Sequence, residues 1–239
     1  VVSLALFLKG LLSVWVAFSS SWATATPFTD QPVVLAEFFI SLLLAAGFMN
    51  VGGITDRLVA LEVSLVGHFR GGFGHVKVLT NTLMGGVSGS STADAAAIAK
   101  TLVFPMAAQG YPKPFSVALT ASGSILANLI PPSLGLIVYA SLAAVSVGAL
   151  FVGTIVPGLL MAATLSIVVW LSCRKHGYGP AGRKASWDER GSAAKLALPA
   201  LALPLLIVGG IRYGAFSATE AGAVAALYSL LCGVLVYRN

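Results

Sequence analysis

The sequence predicts an all-α integral membrane protein, a helical bundle holding a re-entrant hairpin and one helix broken by a Pro-Pro pair. Three observations carry this. First, 57% of the 239 residues are hydrophobic and 9% are charged, where a soluble domain carries about 25% charge. The mean hydropathy is +0.92. Second, a glycine- and serine-rich stretch, Gly85 to Asp94, interrupts apolar sequence with a short helical run on either side, Val76 to Met84 and Ala95 to Met106. Runs of that length fall short of the roughly 20 helical residues needed to cross a hydrocarbon core. Third, Pro131-Pro132 lies inside an apolar run that would otherwise be one full span, Phe115 to Ala140.

Helices are expected because the apolar runs are continuous and lack the alternation of a barrel. Residues 1–53 read as N-terminal spans: Val1 to Phe18, a polar connector from Ser19 to Pro32, and Val33 to Met49. Residues 54–70 place Leu58, Leu61, Leu65 and Phe69 at helical spacing, with Asp56, Arg57, Glu62 and His68 around the rest. That pattern predicts an amphipathic helix lying in the membrane interface. Residues 71–140 hold the hairpin and the broken helix. Pro131 and Pro132 have no N–H for the carbonyls four residues earlier, Ala127 and Asn128, so the break is expected near those positions. Residues 141–173 contain a short uncharged loop and a span, which Pro157-Gly158 is placed to kink. Residues 174–195 are a basic loop with Arg174, Lys175, Arg183, Lys184, Arg190 and Lys195. Residues 196–239 supply two further spans.

The net charge of +6 sits beside apolar spans, so it is assigned to orientation against an anionic leaflet rather than to nucleic acid. Short Lys/Arg-rich loops stay cytoplasmic. This puts residues 174–195 inside, Ser141 to Gly148 outside, and both feet of the hairpin, near Arg70 and Lys113, on the cytoplasmic side. Cys173 and Cys232 are the two cysteines, too few for a disulfide framework or a metal site. No nucleophile–base pair, phosphate loop or paired carboxylates inside a span suggests an enzyme.

A hairpin tip and a broken helix place four helix ends at mid-membrane, where C-terminal ends and unwound carbonyls attract cations and N-terminal ends attract carboxylates. The hydroxyls of Ser88, Ser90, Ser91, Thr92 and Ser133 supply oxygen ligands for a hard cation such as Na⁺. Structural readings stand beside these. Ser91 and Asp94 have the spacing of a capping box. Gly85 and Gly86 would also serve close helix packing, and Pro131-Pro132 would also serve as a simple kink. His68 and His75 suit wet surface positions. Lys77 and Lys100 suit snorkelling to the cytoplasmic face, and Glu220 suits a helix start capped by Ser217 or Thr219.

The residues that carry these features resemble the large membrane subunit of the tripartite ATP-independent periplasmic (TRAP) transporters. The resemblance runs through Gly71-Gly72-Phe73-Gly74-His75-Val76, Gly86 to Asp94, Gly110-Tyr111, Thr120-Ala121-Ser122 and Ile130-Pro131-Pro132-Ser133. It continues through Ser146 to Phe151, Ile155 to Leu160 and Gly214 to Ala221, covering about Phe39 to Arg238 in order. It departs at Lys77, where a smaller polar residue is expected, and at Asn128.

The resemblance implies one half of an inverted-repeat, elevator-type fold in a multi-pass protein of a bacterial or archaeal inner membrane. It implies a secondary, sodium-coupled importer of small organic acids, with Na⁺ as coupling ion and no other cofactor. Its implied partners are a small membrane subunit, a periplasmic substrate-binding protein and the lipid bilayer. The expected cation-binding set is Ser88, Gly89, Ser90, Ser91, Asn128, Pro131, Pro132 and Ser133. The expected substrate-binding set is Ser91, Thr92, Asp94 and Ser133. The alternative is a truncated or non-transporting scaffold or assembly subunit.

Overall fold

A computed structural model describes residues 40–41, 44–45, 47–48, 53–179 and 182–236. Every regular element among them is helical. The expectations for residues 1–39 lie outside the described residues, while the described positions between 40 and 48 are helical.

Helix α1, Ile54–Val66, turns Leu58 and Leu61 inward and leaves Leu65 exposed, with Phe69 exposed beyond its end. The predicted polar face is not wholly polar in its surroundings. Glu62 is fully buried, because α1 packs against α2 and other helices rather than lying free. Helix α2, Gly72–Ser88, is the centre of the molecule. Val78 joins Met106, Tyr111, Leu119, Val169 and Cys173 in one apolar cluster. One to three turns further on, Met84 and Val87 join Leu58, Ile98, Leu134, Phe151, Leu203 and Ile207 in a larger one.

Helix α3, Ser91–Ala108, returns along α2 after the two residues Gly89 and Ser90. The hairpin arms are therefore 17 and 18 residues long, about 25 Å each at 1.5 Å per residue, and not the shorter runs expected from the sequence. The difference lies at the tip. Gly85 to Ser88 continue the helix, and the chain leaves it only at Gly89, whose φ of 60° is the left-handed value that ends helices and favours glycine.

Helix α4, Lys113–Ser124, starts with Pro114 in its first turn, where a missing N–H is harmless. It tightens into a 3₁₀ turn at Ile125–Asn128 and ends. After Leu129 to Ser133, helix α5, Leu134–Ala143, resumes. The expected break is present, and it begins upstream of the prolines, where the helix tightens and the Leu129 and Ile130 amides both donate to the Leu126 carbonyl.

Helix α6, Val147–His176, is 30 residues long, and α7, Trp187–Arg212, is 26. Both exceed the span of a bilayer core. Only 11% and 22% of their most apolar 18-residue windows are buried. Leu159, Leu160, Ile167, Leu198 and Leu205 are among the large side chains facing out. So much outward apolar surface suits lipid and not water. Pro157 sits inside α6 and Pro199 and Pro204 inside α7 without ending either helix.

The basic loop is shorter than predicted. Arg174 to His176 end α6 at Gly177. A capping box, with Ser186 accepting at the N-terminus and Glu189 bonding back to the Ser186 N–H, opens α7 at Trp187. Helix α8, Ala218–Leu231, opens on a second such box formed by Ser217 and Glu220, as the sequence suggested, and passes into a π-helical turn at Cys232–Val236.

Candidate functional site

The hairpin tip and the helix break meet directly. A Cβ placed on Gly85 would lie 2.8 Å from Ala127 Cα and 3.0 Å from Ala127 N, so the last turn of α2 rests on the backbone of the 3₁₀ segment. One residue on, a Cβ on Gly86 would lie 3.3 Å from the Pro131 carbonyl oxygen. Close packing is thus what both glycines do here. A backbone hydrogen bond completes the junction: Leu134 N–H donates to the Gly89 carbonyl at 3.2 Å. The first amide of α5 thereby serves the C-terminal carbonyl of α2, pairing the partial charges of two helix ends.

At the tip Ser88 is buried, and its hydroxyl donates to Asp94 Oδ1. That hydroxyl also accepts from Ser90 N–H at 3.3 Å. Asp94 is 1% exposed, and its Oδ2 has no hydrogen-bond partner. The cap of α3 is Ser90, not Ser91: its hydroxyl accepts from Ala93 N–H at 3.5 Å. Asp94 therefore turns inward to Ser88 instead of reaching back to Ser91. The hydroxyls of Ser90 and Thr92 lie 3.3 Å apart on an exposed side, and Ser91 is half-buried.

At the break, the Pro131-Pro132 peptide is cis, and Pro131, Pro132 and Ser133 are all buried. Ser133 holds the N-terminal cap position of α5. Its hydroxyl donates to the Asn128 carbonyl at 3.2 Å, supplying the hydrogen bond that Pro132 cannot. The Asn128 side chain is exposed and lies beside Gly135. The structure thus gathers Ser88, Gly89, Asp94, Pro131 and Ser133 at one junction. It leaves Thr92 and the Asn128 side chain outward.

Chemically, this junction offers a buried carboxylate oxygen in want of a partner, hydroxyls, and carbonyls at two helix ends. Hard-cation binding needs oxygen donors of this kind. Among the described residues no group of three or more His, Cys, Asp or Glu side chains is placed to hold a transition metal.

Sequence reasoning missed a second polar belt on the earlier turns of α2. Lys77 does not snorkel; it is fully buried, and Nζ donates to the Ser116 carbonyl at 2.9 Å. Asn81 Nδ2 donates to the Lys77 carbonyl at 2.9 Å, while its Oδ1 has no partner. Thr80 and Glu62 are hydrogen-bonded to each other. The available signal was the spacing of Lys77, Thr80 and Asn81, which share one face of an apolar helix.

The family model for the tripartite ATP-independent periplasmic transporter, DctM component, matches residues 1–239. The chain belongs to the DctM family. That family is a transporter component and not an enzyme family. The 2,3-diketo-L-gulonate TRAP transporter large permease protein of Escherichia coli strain K12 is 41% identical over 202 residues, covering 84% of this chain and 47% of that protein. The sialic acid TRAP transporter large permease protein of Vibrio cholerae is 39% identical over 211 residues, covering 88% and 48%. The C4-dicarboxylate TRAP transporter large permease protein of Pseudomonas aeruginosa is 40% identical over 197 residues, covering 82% and 46%. This DctM-family chain spans about half the length of these relatives.

Proposed function

We propose that this chain supplies one repeat of the large permease subunit of a sodium-coupled importer for small organic acids in a bacterial or archaeal inner membrane. The observation that carries the reading is the junction itself. A helix C-terminus packs on a broken helix, and Ser88 in its last turn holds Asp94, a buried carboxylate with an unpartnered oxygen. A coupling cation would be held by Asp94 with hydroxyls and carbonyls from Ser88, Gly89, Ser90, Ser91, Asn128, Pro131, Pro132 and Ser133. A substrate carboxylate would approach the helix starts at Ser91, Thr92, Asp94 and Ser133, where the helix dipoles favour an anion. Diketogulonate, sialic acid and C4-dicarboxylate, for which relatives are named, are organic acids, and this supports the substrate class.

In this reading α2 and α3 form a re-entrant hairpin with both feet cytoplasmic, and α1 lies near the interface. The hairpin and broken helix belong to a moving, elevator-type transport domain that works with a small membrane subunit and a periplasmic binding protein. The test is uptake of a radiolabelled organic acid by the full-length complex in proteoliposomes, with and without an inward sodium gradient. Uptake should require the gradient. Uptake indifferent to sodium would defeat the coupling, and a complex that assembles but does not transport would favour the scaffold alternative.

A further inference from the structure

The seam between α1 and α2 contains a buried acid that the cation junction does not use. Glu62 on α1 is fully buried, Thr80 on α2 is 1% exposed, and Glu62 Oε2 is hydrogen-bonded to Thr80 Oγ1. Thr80 Oγ1 is also 2.9 Å from the Val76 carbonyl oxygen, one helical turn back. A hydroxyl carries one hydrogen, and a carbonyl can only accept. If Thr80 gives that hydrogen to Val76, the hydrogen between Thr80 and Glu62 must come from Glu62. Oε1 has no partner at all.

Among the described residues, none compensates a negative charge on Glu62 at close range. Among the fully described helices, α2 and α7 pack most extensively on α1. They carry His75 and Lys77, and Asp188, Glu189, Arg190, Lys195 and Arg212, while α1 itself carries Asp56 and Arg57. Arg183 pairs with Glu189, and among the described residues no cation stands within 4.0 Å of Glu62. Lys77 Nζ is engaged with the Ser116 carbonyl on α4. A buried carboxylate without a cation or sufficient donors is neutralised by a proton instead.

We propose that Glu62 is a proton-binding site, a neutral carboxylic acid that donates to Thr80 Oγ1 and fastens α1 to α2. Proton release to bulk water would leave a carboxylate that Thr80 can serve only by withdrawing its hydrogen from Val76. The seam is therefore closed in the protonated form and weakened in the ionised one. The site is independent of the sodium reading, because it shares no residue with the tip or the break.

The test is infrared difference spectroscopy of the full-length protein in membranes, titrated in pH and compared with Glu62→Gln. A protonated-carboxyl carbonyl band should be present at neutral pH, fade on alkalinisation, and be missing from Glu62→Gln. Thr80→Val, which keeps the acid and removes its partner, should shift that band. Absence of the band at neutral pH would overturn the proposal, as would a spectrum from which Glu62→Gln removes no part of the band. If Glu62→Gln does not accumulate in the membrane, Thr80→Val decides: an unshifted band overturns the assignment. Sodium-dependent uptake is measured alongside, and its presence or loss does not bear on the proton count.

Discussion

Replacing Gly85 by alanine tests whether the hairpin tip and the helix break are one packed unit. The new Cβ would stand 2.8 Å from Ala127 Cα, 3.0 Å from its nitrogen and 3.3 Å from Leu126 C. All three are backbone atoms, so no side chain can swing away. Ordinary carbon contacts lie near 3.5–4.0 Å, so the helix and the 3₁₀ segment must separate by roughly 0.7 to 1 Å. Overpacking of this kind costs about 1–3 kcal/mol. Alanine in place of glycine inside a helix returns about 1 kcal/mol. The control is Gly153→Ala in α6, where a Cβ meets nothing within 4 Å and the roughly 1 kcal/mol gain stands alone. Denaturant titration of the reconstituted protein should therefore separate the two variants by about 1–3 kcal/mol, Gly85→Ala being the weaker. Gly86→Ala, with its nearest contact at 3.3 Å, should fall between. The same separation should draw Leu134 N–H away from the Gly89 carbonyl and raise the sodium concentration for half-maximal uptake. Gly85→Ala as stable as Gly153→Ala, with unchanged sodium response, would refute the packed junction.

Four further outcomes follow from the geometry. Ser88→Ala removes the hydroxyl that donates to Asp94. A hydrogen bond to a charged group is worth about 1.5–3 kcal/mol, so half-maximal uptake should need about tenfold more sodium or beyond, at 1.4 kcal/mol per tenfold; an unchanged value removes Asp94 from the cation reading. Pro132→Ala restores an N–H that competes with Ser133 for the Asn128 carbonyl, so maximal uptake should fall more than sodium affinity, and retention of full uptake would speak against a functional break. Lys77→Met should leave stability unchanged or higher by about 1–4 kcal/mol, since apolar replacements of buried ions do so, while Lys77→Ala should lose about 2–5 kcal/mol through the cavity it leaves, both read by thermal unfolding. With Cys173 and Cys232 replaced, an impermeant thiol reagent outside the cell should label Val145→Cys and not Lys184→Cys; the reverse pattern would invert the assigned orientation.

The helical class and the break were legible because composition and proline act locally. Apolar content sets the environment, and Pro131 and Pro132 remove donors wherever they stand in a helix. The cap at Ser217 was legible for the same reason. What was not legible depended on who packs against whom. Gly85 and Gly86 read either as tip residues or as packing glycines, and their partner, the 3₁₀ backbone that occupies the space a side chain would take, was not legible. Asp94 read as a cap for Ser91, yet it serves Ser88 across the tip. Lys77 and Glu62 read as surface charges because polar residues usually are. Their burial follows from the central place of α2, which sequence spacing alone does not reveal.

The two polar regions of α2 differ in a way that separates their roles. At the tip, the donors and acceptors come from the ends of elements, where backbone groups have lost their helical partners. Their hydrogen bonds run between elements, from Leu134 to Gly89 and from Ser88 to Asp94. On the earlier turns, side chains mostly bond back into helices: Thr80 to Val76, Asn81 to Lys77, Thr82 to Val78, and Thr120 to Ser116. The cross-element bonds there include those of Lys77 to Ser116, of Glu62 with Thr80 and of Gly74 N–H to the Tyr111 hydroxyl. A ligand entering the tip would compete with bonds that tie α2 to α3 and α5, so occupancy and helix arrangement are coupled there. A proton on Glu62 instead governs one contact between α1 and α2. The first arrangement suits a bound ion that must be admitted and released, and the second suits a fastening that holds one helix against its neighbour.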